Sequence, residues 1–138
     1  MGNVLAEGKE SKEIKIPEIE DFAEISEIAA EAMSEKKAND IVGLNLVSLS
    51  KSIFDEFIIA SADSSVQVRA VADNVEEKLY SRAGIVARSR QGDENAVWIV
   101  LDYNRFVVHV FRTDCREYYK LEDLWADAEI RHYRSSQE

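Results

Sequence analysis

The spacing of hydrophobic positions along this chain changes from stretch to stretch, and the changes delimit its elements. After Pro17, a residue suited to a first helical turn, Phe22, Ile25, Ala29, Ala32 and Met33 recur at helical spacing. Lys36 and Lys37 close that run with cations at the negative end of the dipole. Residues 40–47 (DIVGLNLV) then read as a strand, 48–52 as a loop, and 56–61 (EFIIAS) as a second strand. The second strand has almost no polar interior and is expected at the centre of a sheet, covered on both sides. Ser64, three residues before Gln67, has the spacing of a capping box, and Val68, Val71, Ala72, Val75 and Leu79 form an apolar stripe that Gly84 ends. A short edge strand is expected over 85–90, followed by a polar loop at 91–95.

The densest run of β-branched and aromatic residues comes next. Residues 97–103 and 106–112 are two β-forming segments separated by Asn104-Arg105, and Asn tolerates the positive φ of a primed two-residue turn. A hairpin that sets Tyr103 opposite Phe106 places Trp98, Val100, Asp102, Val107, His109 and Phe111 on one face. Ile99, Leu101, Tyr103, Phe106, Val108 and Val110 share the other, which reads as core. The first face mixes aromatic, aliphatic, carboxylate and imidazole groups and reads as a contact surface. Thr113 is placed to cap a short helix, and Leu121, Leu124, Trp125 and Ala128 predict a further turn or two docking on the sheet. The predicted order of helix, two strands, helix, three strands and helix gives an α/β fold with a mixed sheet.

Composition bounds what such a domain does. With 138 residues the chain fits one compact unit. Residues 1–16 are expected to be a polar N-terminal tail, 17–130 the folded domain and 131–138 a C-terminal tail. A formal net charge of -10 disfavours a broad phosphate-binding surface and suits a basic protein partner. The single cysteine, Cys115, cannot form an internal disulfide, no apolar run is long enough to cross a bilayer, and the first 20 residues are too charged for a secretion signal. A cytoplasmic protein is expected.

Catalytic chemistry finds little support. The five glycines form no phosphate-binding loop, and the two histidines give no helical pair for zinc. Cys115 beside Arg116 reads as a spare thiol more readily than as a nucleophile. Asp102 and His109 share a face and could move a proton, yet no nucleophile or metal set accompanies them. His109 reads equally well as a half-buried sheet residue held by a hydrogen bond. Trp125, at helical spacing from Leu121 and Leu124, favours core; Trp98, on the mixed face, favours contact. Glu117, Tyr118 and Tyr119 form a polar and aromatic cluster of the kind enriched at interfaces. Asp73, Glu76 and Glu77 read as the wet side of their helix.

The segments KANDIVGLNL, SIFDEFIIASADSSVQVRAVADNVEEKL and VWIVLDYNRFVVHVFRTDCREYYKLEDLW resemble the ribosomal silencing factor family, also called the iojap family, from about residue 35 to residue 128. The combination of W-x-x-x-D, V-H-V-F, R-E-x-Y and L-E-x-L-W carries the resemblance. It implies a fold similar to nucleotidyltransferases without their Gly-Ser and Asp-x-Asp motifs, and hence neither enzyme activity nor a cofactor. It further implies binding to the large ribosomal subunit, through its protein numbered fourteen at the face where the small subunit docks, so that subunit joining is blocked. It also implies that free copies pair as homodimers, although the sequence itself does not fix the oligomeric state. The alternatives are an RNA-binding assembly factor and a nucleotidyltransferase-like enzyme.

Carried over by position, the resemblance assigns Trp98, Asp102, the strand 108–111 with His109 and Phe111, and the helix residues Arg116, Glu117 and Tyr119 to the docking surface. Tyr118 joins them as part of the aromatic cluster. Two positions depart from the pattern. The usual Gly-Asp turn is Asn104-Arg105 here, and the glutamate often found before the glycine of the preceding loop is Gln91.

Overall fold

The computed structural model describes residues 22–47, 49, 53–124 and 126–134, with Glu122 and Leu124 described by backbone alone. The expected N-terminal tail, Pro17 and Trp125 lie outside the described residues. Helix α1 spans Phe22–Glu35 and turns Ile25, Ile28, Ala29, Ala32 and Met33 inward. Strands β1 (Asn39–Asn45) and β2 (Glu56–Ala62) follow, and every residue of β2 is buried.

Helix α2 (Ser65–Ala83) begins where the Ser64 hydroxyl accepts the Gln67 N–H, and it ends at Gly84, whose φ of 72° is left-handed. The reciprocal arm of the capping box is displaced by one residue, because Gln67 Oε1 accepts the Asp63 N–H. The expected edge strand contracts to β3 (Ser89–Gln91). Then come β4 (Trp98–Asp102), β5 (Phe106–Arg112), α3 (Thr113–Tyr119), the short α4 (Leu121–Leu124) and a strand absent from the sequence reading, β6 (Glu129–Tyr133).

The sheet order is β3-β4-β5-β2-β1-β6. β2 and β5 run parallel and every other pairing is antiparallel, so the mixed α/β class expected from the sequence holds. One face carries α1 and α2 over Ile41, Ile58, Ala60, Ile99, Leu101, Val108 and Val110. The other gathers Val42, Leu44, Phe57, Ile59, Val107 and Phe111 under Leu121, Ala128 and the loop residues Leu46 and Leu49.

Strand β6 corrects the expected tail at 131–138, since residues 131–133 pair antiparallel with β1. Its alternation of charged and partly covered side chains resembles a polar tail. The partner that makes it a strand, β1, lies 84 to 92 residues earlier in the chain, from Asn45↔Glu129 to Ile41↔Tyr133. Arg131 reaches across β1 to the carboxylate of Glu56, which is buried and also accepts a 2.5 Å hydrogen bond from Ser26 of α1. Gly43 makes room for that crossing, because a Cβ there would come within 3.1 Å of Arg131 Nη2 and 3.2 Å of the Tyr133 ring. Burial pushes the Glu56 carboxyl above its ordinary range, opposed by Ser26 and Arg131.

Candidate protein-docking surface

The β4–β5 hairpin has the expected register. Trp98 pairs with Phe111, Val100 with His109 and Asp102 with Val107, and Tyr103 N–H donates to the Phe106 carbonyl at 2.9 Å. Asn104 takes a φ of 81°, and its N–H donates to Asp102 Oδ1 at 2.7 Å. Asp102 therefore serves the turn, with Arg88 at 3.4 Å from its other oxygen. The cation that departs from the usual turn has a partner: Arg105 forks onto the buried carboxylate of Asp55, with the second bond at 2.9 Å. Arg105 also accepts the Asp55 N–H on its carbonyl at 2.8 Å, pinning the turn to the start of β2.

The face holding Trp98, His109 and Phe111 is not the open surface expected from alternation alone. His109 is 6% exposed and Phe111 fully buried. The imidazole packs edge-on against Phe57 at 4.6 Å, and its Nδ1 accepts the Trp98 indole N–H at 3.1 Å. Its Nε2 has no hydrogen-bond partner among the described residues, and burial pulls its pKa down to about 3. Asp102 lies opposite Val107, two pairs along from the Val100–His109 pair, and its carboxylate is taken up by the Asn104 N–H and Arg88 and not by the imidazole. His109 and Phe111 are corrected from contact residues to core, because segments distant in sequence cover the sheet's second face. Of the earlier alternatives for His109, the hydrogen-bonded sheet residue is the one found, and it is buried.

Trp98 remains half-buried at the edge of this cluster. Its ring stacks on Phe111 at 4.8 Å and meets Tyr119 of α3 at 4.9 Å. Tyr119 in turn meets Tyr118 edge-on at 5.1 Å. The rings thus form one chain leading from the buried His109 outward to Tyr118, which is 81% exposed, while Tyr119 is 47% exposed. Glu117, between them and Arg116 in sequence, is exposed too.

Arg116 is corrected in the same sense as His109 and Phe111, whereas Tyr118 is exposed. The arginine is buried, and its Nη1 donates to the Asp40 carbonyl at 2.6 Å and to Ser61 Oγ at 3.3 Å, beneath α3. Thr113 does not cap α3. It is the first helical residue, and its hydroxyl donates to Ala62 O and Asp63 Oδ1. Cys115 is half-buried against the second core cluster.

One feature went unread in the sequence, and another was read only in part. Arg90 of β3 is gripped by Asp73, Glu76 and Asp93 at 2.7–2.8 Å, so Asp73 and Glu76 belong to a tie between α2 and the 91–95 loop and not only to a wet helix face. Val100 is half-buried beside Trp98, and its place on the mixed face was the only signal. Among the described residues, no group of three or more His, Cys, Asp and Glu side chains is placed to hold a metal ion. None of the described helices is long and apolar enough to cross a membrane.

The fold and its surface define the class: a mixed-sheet α/β domain with a half-exposed tryptophan and two exposed tyrosines around a short helix. The family described as ribosomal silencing factor during starvation, RsfS, matches residues 19–138, and the chain belongs to it. It is 40% identical over 105 residues to a ribosomal silencing factor RsfS of Halalkalibacterium halodurans, covering 76% of this chain and 88% of that protein. A mitochondrial Iojap-related protein of Arabidopsis thaliana is 34% identical over 76 residues, covering 52% of this chain and 41% of that one. A crystal structure from Chromobacterium violaceum superposes with a TM-score of 0.70 at 38% identity, over 75% of this chain and 85% of its own.

Proposed function

We propose that this chain represses translation by binding the large ribosomal subunit at the face that receives the small subunit, through the basic ribosomal protein numbered fourteen there. The observation that carries the reading is the exposed group of Tyr118 and Tyr119 beside half-buried Trp98, rimmed by Glu117. Aromatic anchors with a charged rim are the composition of a protein–protein hot spot. A net charge of -10 adds attraction to a basic protein and repulsion from bare RNA.

The action is steric and needs no turnover, cofactor or metal. It takes place in the cytoplasm, and a second copy covers the same apolar group when no ribosome is present. Asp102, His109, Phe111 and Arg116 support this surface from behind, while Trp98, Glu117, Tyr118 and Tyr119 meet the partner.

The test is gradient sedimentation of the purified protein with separated subunits. Co-migration with the large subunit alone, and fewer joined ribosomes on adding the small subunit, are the expected results. Co-migration with neither subunit would overturn the reading. Stronger competition from ribosomal RNA fragments than from the isolated ribosomal protein would replace it with RNA binding.

A further inference from the structure

Helix α3, which presents Tyr118 and Tyr119, has little to hold it in place by itself. It is seven residues long, below the length at which an isolated helix persists in water. Its N-cap, Arg112, makes no side-chain capping bond, and it stops at Lys120 in a left-handed conformation with φ 49°. Its place on the molecule is therefore set by what its inner side touches. Thr113 and Arg116, three residues apart and so on one side of the helix, make the polar contacts with the sheet.

The Arg116 contact lands on a prepared point. Between Asn39 and Val42 the β1–β2 register shifts, and Asp40 there adopts φ 52°, a left-handed conformation that a non-glycine residue adopts at a cost. The Asp40 carbonyl receives the Arg116 guanidinium at 2.6 Å. The same Nη1 reaches Ser61 Oγ, and Ser61 itself donates to the Asn39 carbonyl at 3.3 Å. One guanidinium, 8% exposed, thus joins β1, β2 and α3 on the side of the helix away from Tyr118.

We propose that Arg116 is a positioning residue for docking: by fastening α3 to the β1 irregularity at Asp40, it fixes the pose in which Tyr118 and Tyr119 meet the partner, without touching the partner itself. This rests on the docking reading above and adds to it the part that orients the tyrosines. A charge-assisted bond to a carbonyl in a buried setting is strong and directional, which a helix this short requires.

A double-mutant cycle tests it, with large-subunit affinity measured for wild type, Arg116→Ala, Tyr118→Ala and the pair. Arg116→Ala is expected to weaken binding roughly tenfold. In the Tyr118→Ala background the same change is expected to cost only about threefold, because one of the two tyrosines it positions is gone. Losses that multiply would mean that Arg116 acts on the partner independently, and full affinity in folded Arg116→Ala would mean that it positions nothing; either result overturns the proposal. Arg116→Lys keeps one bond to Asp40 and is expected to fall between the two, and it replaces the alanine variant in the cycle if that variant does not fold.

A second measurement separates this claim from the docking reading. In a Trp125→Phe background Trp98 is the sole indole, and its near-ultraviolet circular dichroism reports the packing against Tyr119. Arg116→Ala is expected to diminish that signal as Tyr119→Ala does. An unchanged signal would overturn the positioning role even if the wild-type protein binds no ribosomal particle.

Discussion

His109 and Tyr118 stand at the two ends of one chain of rings, and substitutions there should separate stability from binding. His109 ionises readily in the unfolded chain, near its ordinary value of about 6.5, but resists protonation when folded, where burial holds its pKa at about 3. The unfolded state therefore binds the extra proton across that window. Stability from this residue is fully present above about pH 6.5 and is lost progressively as pH falls toward 3, by up to about 1.4 kcal/mol per pH unit. Glu56 contributes with the opposite sign, since its folded pKa is raised, so the comparison is made between wild type and His109→Gln. Chemical denaturation at pH 7, 5.5 and 4.5 should give a flatter pH dependence in the variant, and the His109 ring resonances of the wild type should not titrate between pH 8 and 5. Tyr118→Ala, at 81% exposure, is expected to change stability by less than about 0.5 kcal/mol while costing about 2 kcal/mol of large-subunit binding. Trp98→Ala should lose on both measures, with a fold cost of about 2 kcal/mol, because it removes the stack on Phe111 and leaves His109 Nδ1 without its donor. Urea midpoints beside binding constants for the two variants check this contrast.

Among the elements, β6 and the hairpin show what a sequence pattern can and cannot convey. The hairpin register was legible because alternation and a two-residue turn are local, and Asn104 supplied the positive φ the turn demanded. Whether its mixed face looked outward was not legible, since the cover comes from outside the hairpin, from Leu46 far upstream and from Leu121 and Ala128 after α3. The inward aim of Arg116 was equally hidden, because its acceptor, Asp40, is 76 residues away. Strand β6 was missed for a related reason: EIRHY carries few β-branched residues, and its hold on the sheet is a ladder to β1 plus one ion pair, Arg131 with Glu56. That pair yields a prediction at this scale. Arg131→Ala should leave a buried carboxylate uncompensated and lower stability by about 2–3 kcal/mol, discounted for the partial exposure of Arg131. Combining it with Glu56→Gln should recover most of the loss, because a neutral amide keeps the Ser26 contact at a smaller desolvation cost. Thermal or urea unfolding of the two variants decides the matter, and a double variant no more stable than the single one would remove the pair from its role in holding β6.

For the molecule as a whole, the division of labour runs across the sheet. One face is sealed by α1 and α2, while the other is closed by short segments and ends in the rings around α3. Family membership and the α/β class could be read from motifs because both rest on strand cores and turns, whereas the division of the proposed docking residues into outer and inner ones depends on the long-range packing of the fold. The exposed aromatic group is small, so encounter with a partner depends on the long-range field, and that field comes from a net charge of -10 spread over 138 residues. Attraction between this charge and a basic ribosomal protein should raise the association rate at low salt and fade as the Debye length falls below about 10 Å, the value at 0.1 M ionic strength. The short-range contacts of Trp98, Tyr118 and Tyr119 are apolar and should hardly respond to salt. Raising sodium chloride from 0.05 to 0.3 M at constant magnesium is therefore expected to weaken binding to the large subunit by roughly tenfold, almost wholly through slower association, with dissociation nearly unchanged. Kinetics on immobilised large subunits resolve the two rates. A salt effect confined to dissociation would place the charged contacts inside the interface, and binding that strengthens with salt would mean that the partner surface is itself acidic and that the basic-partner assignment is wrong.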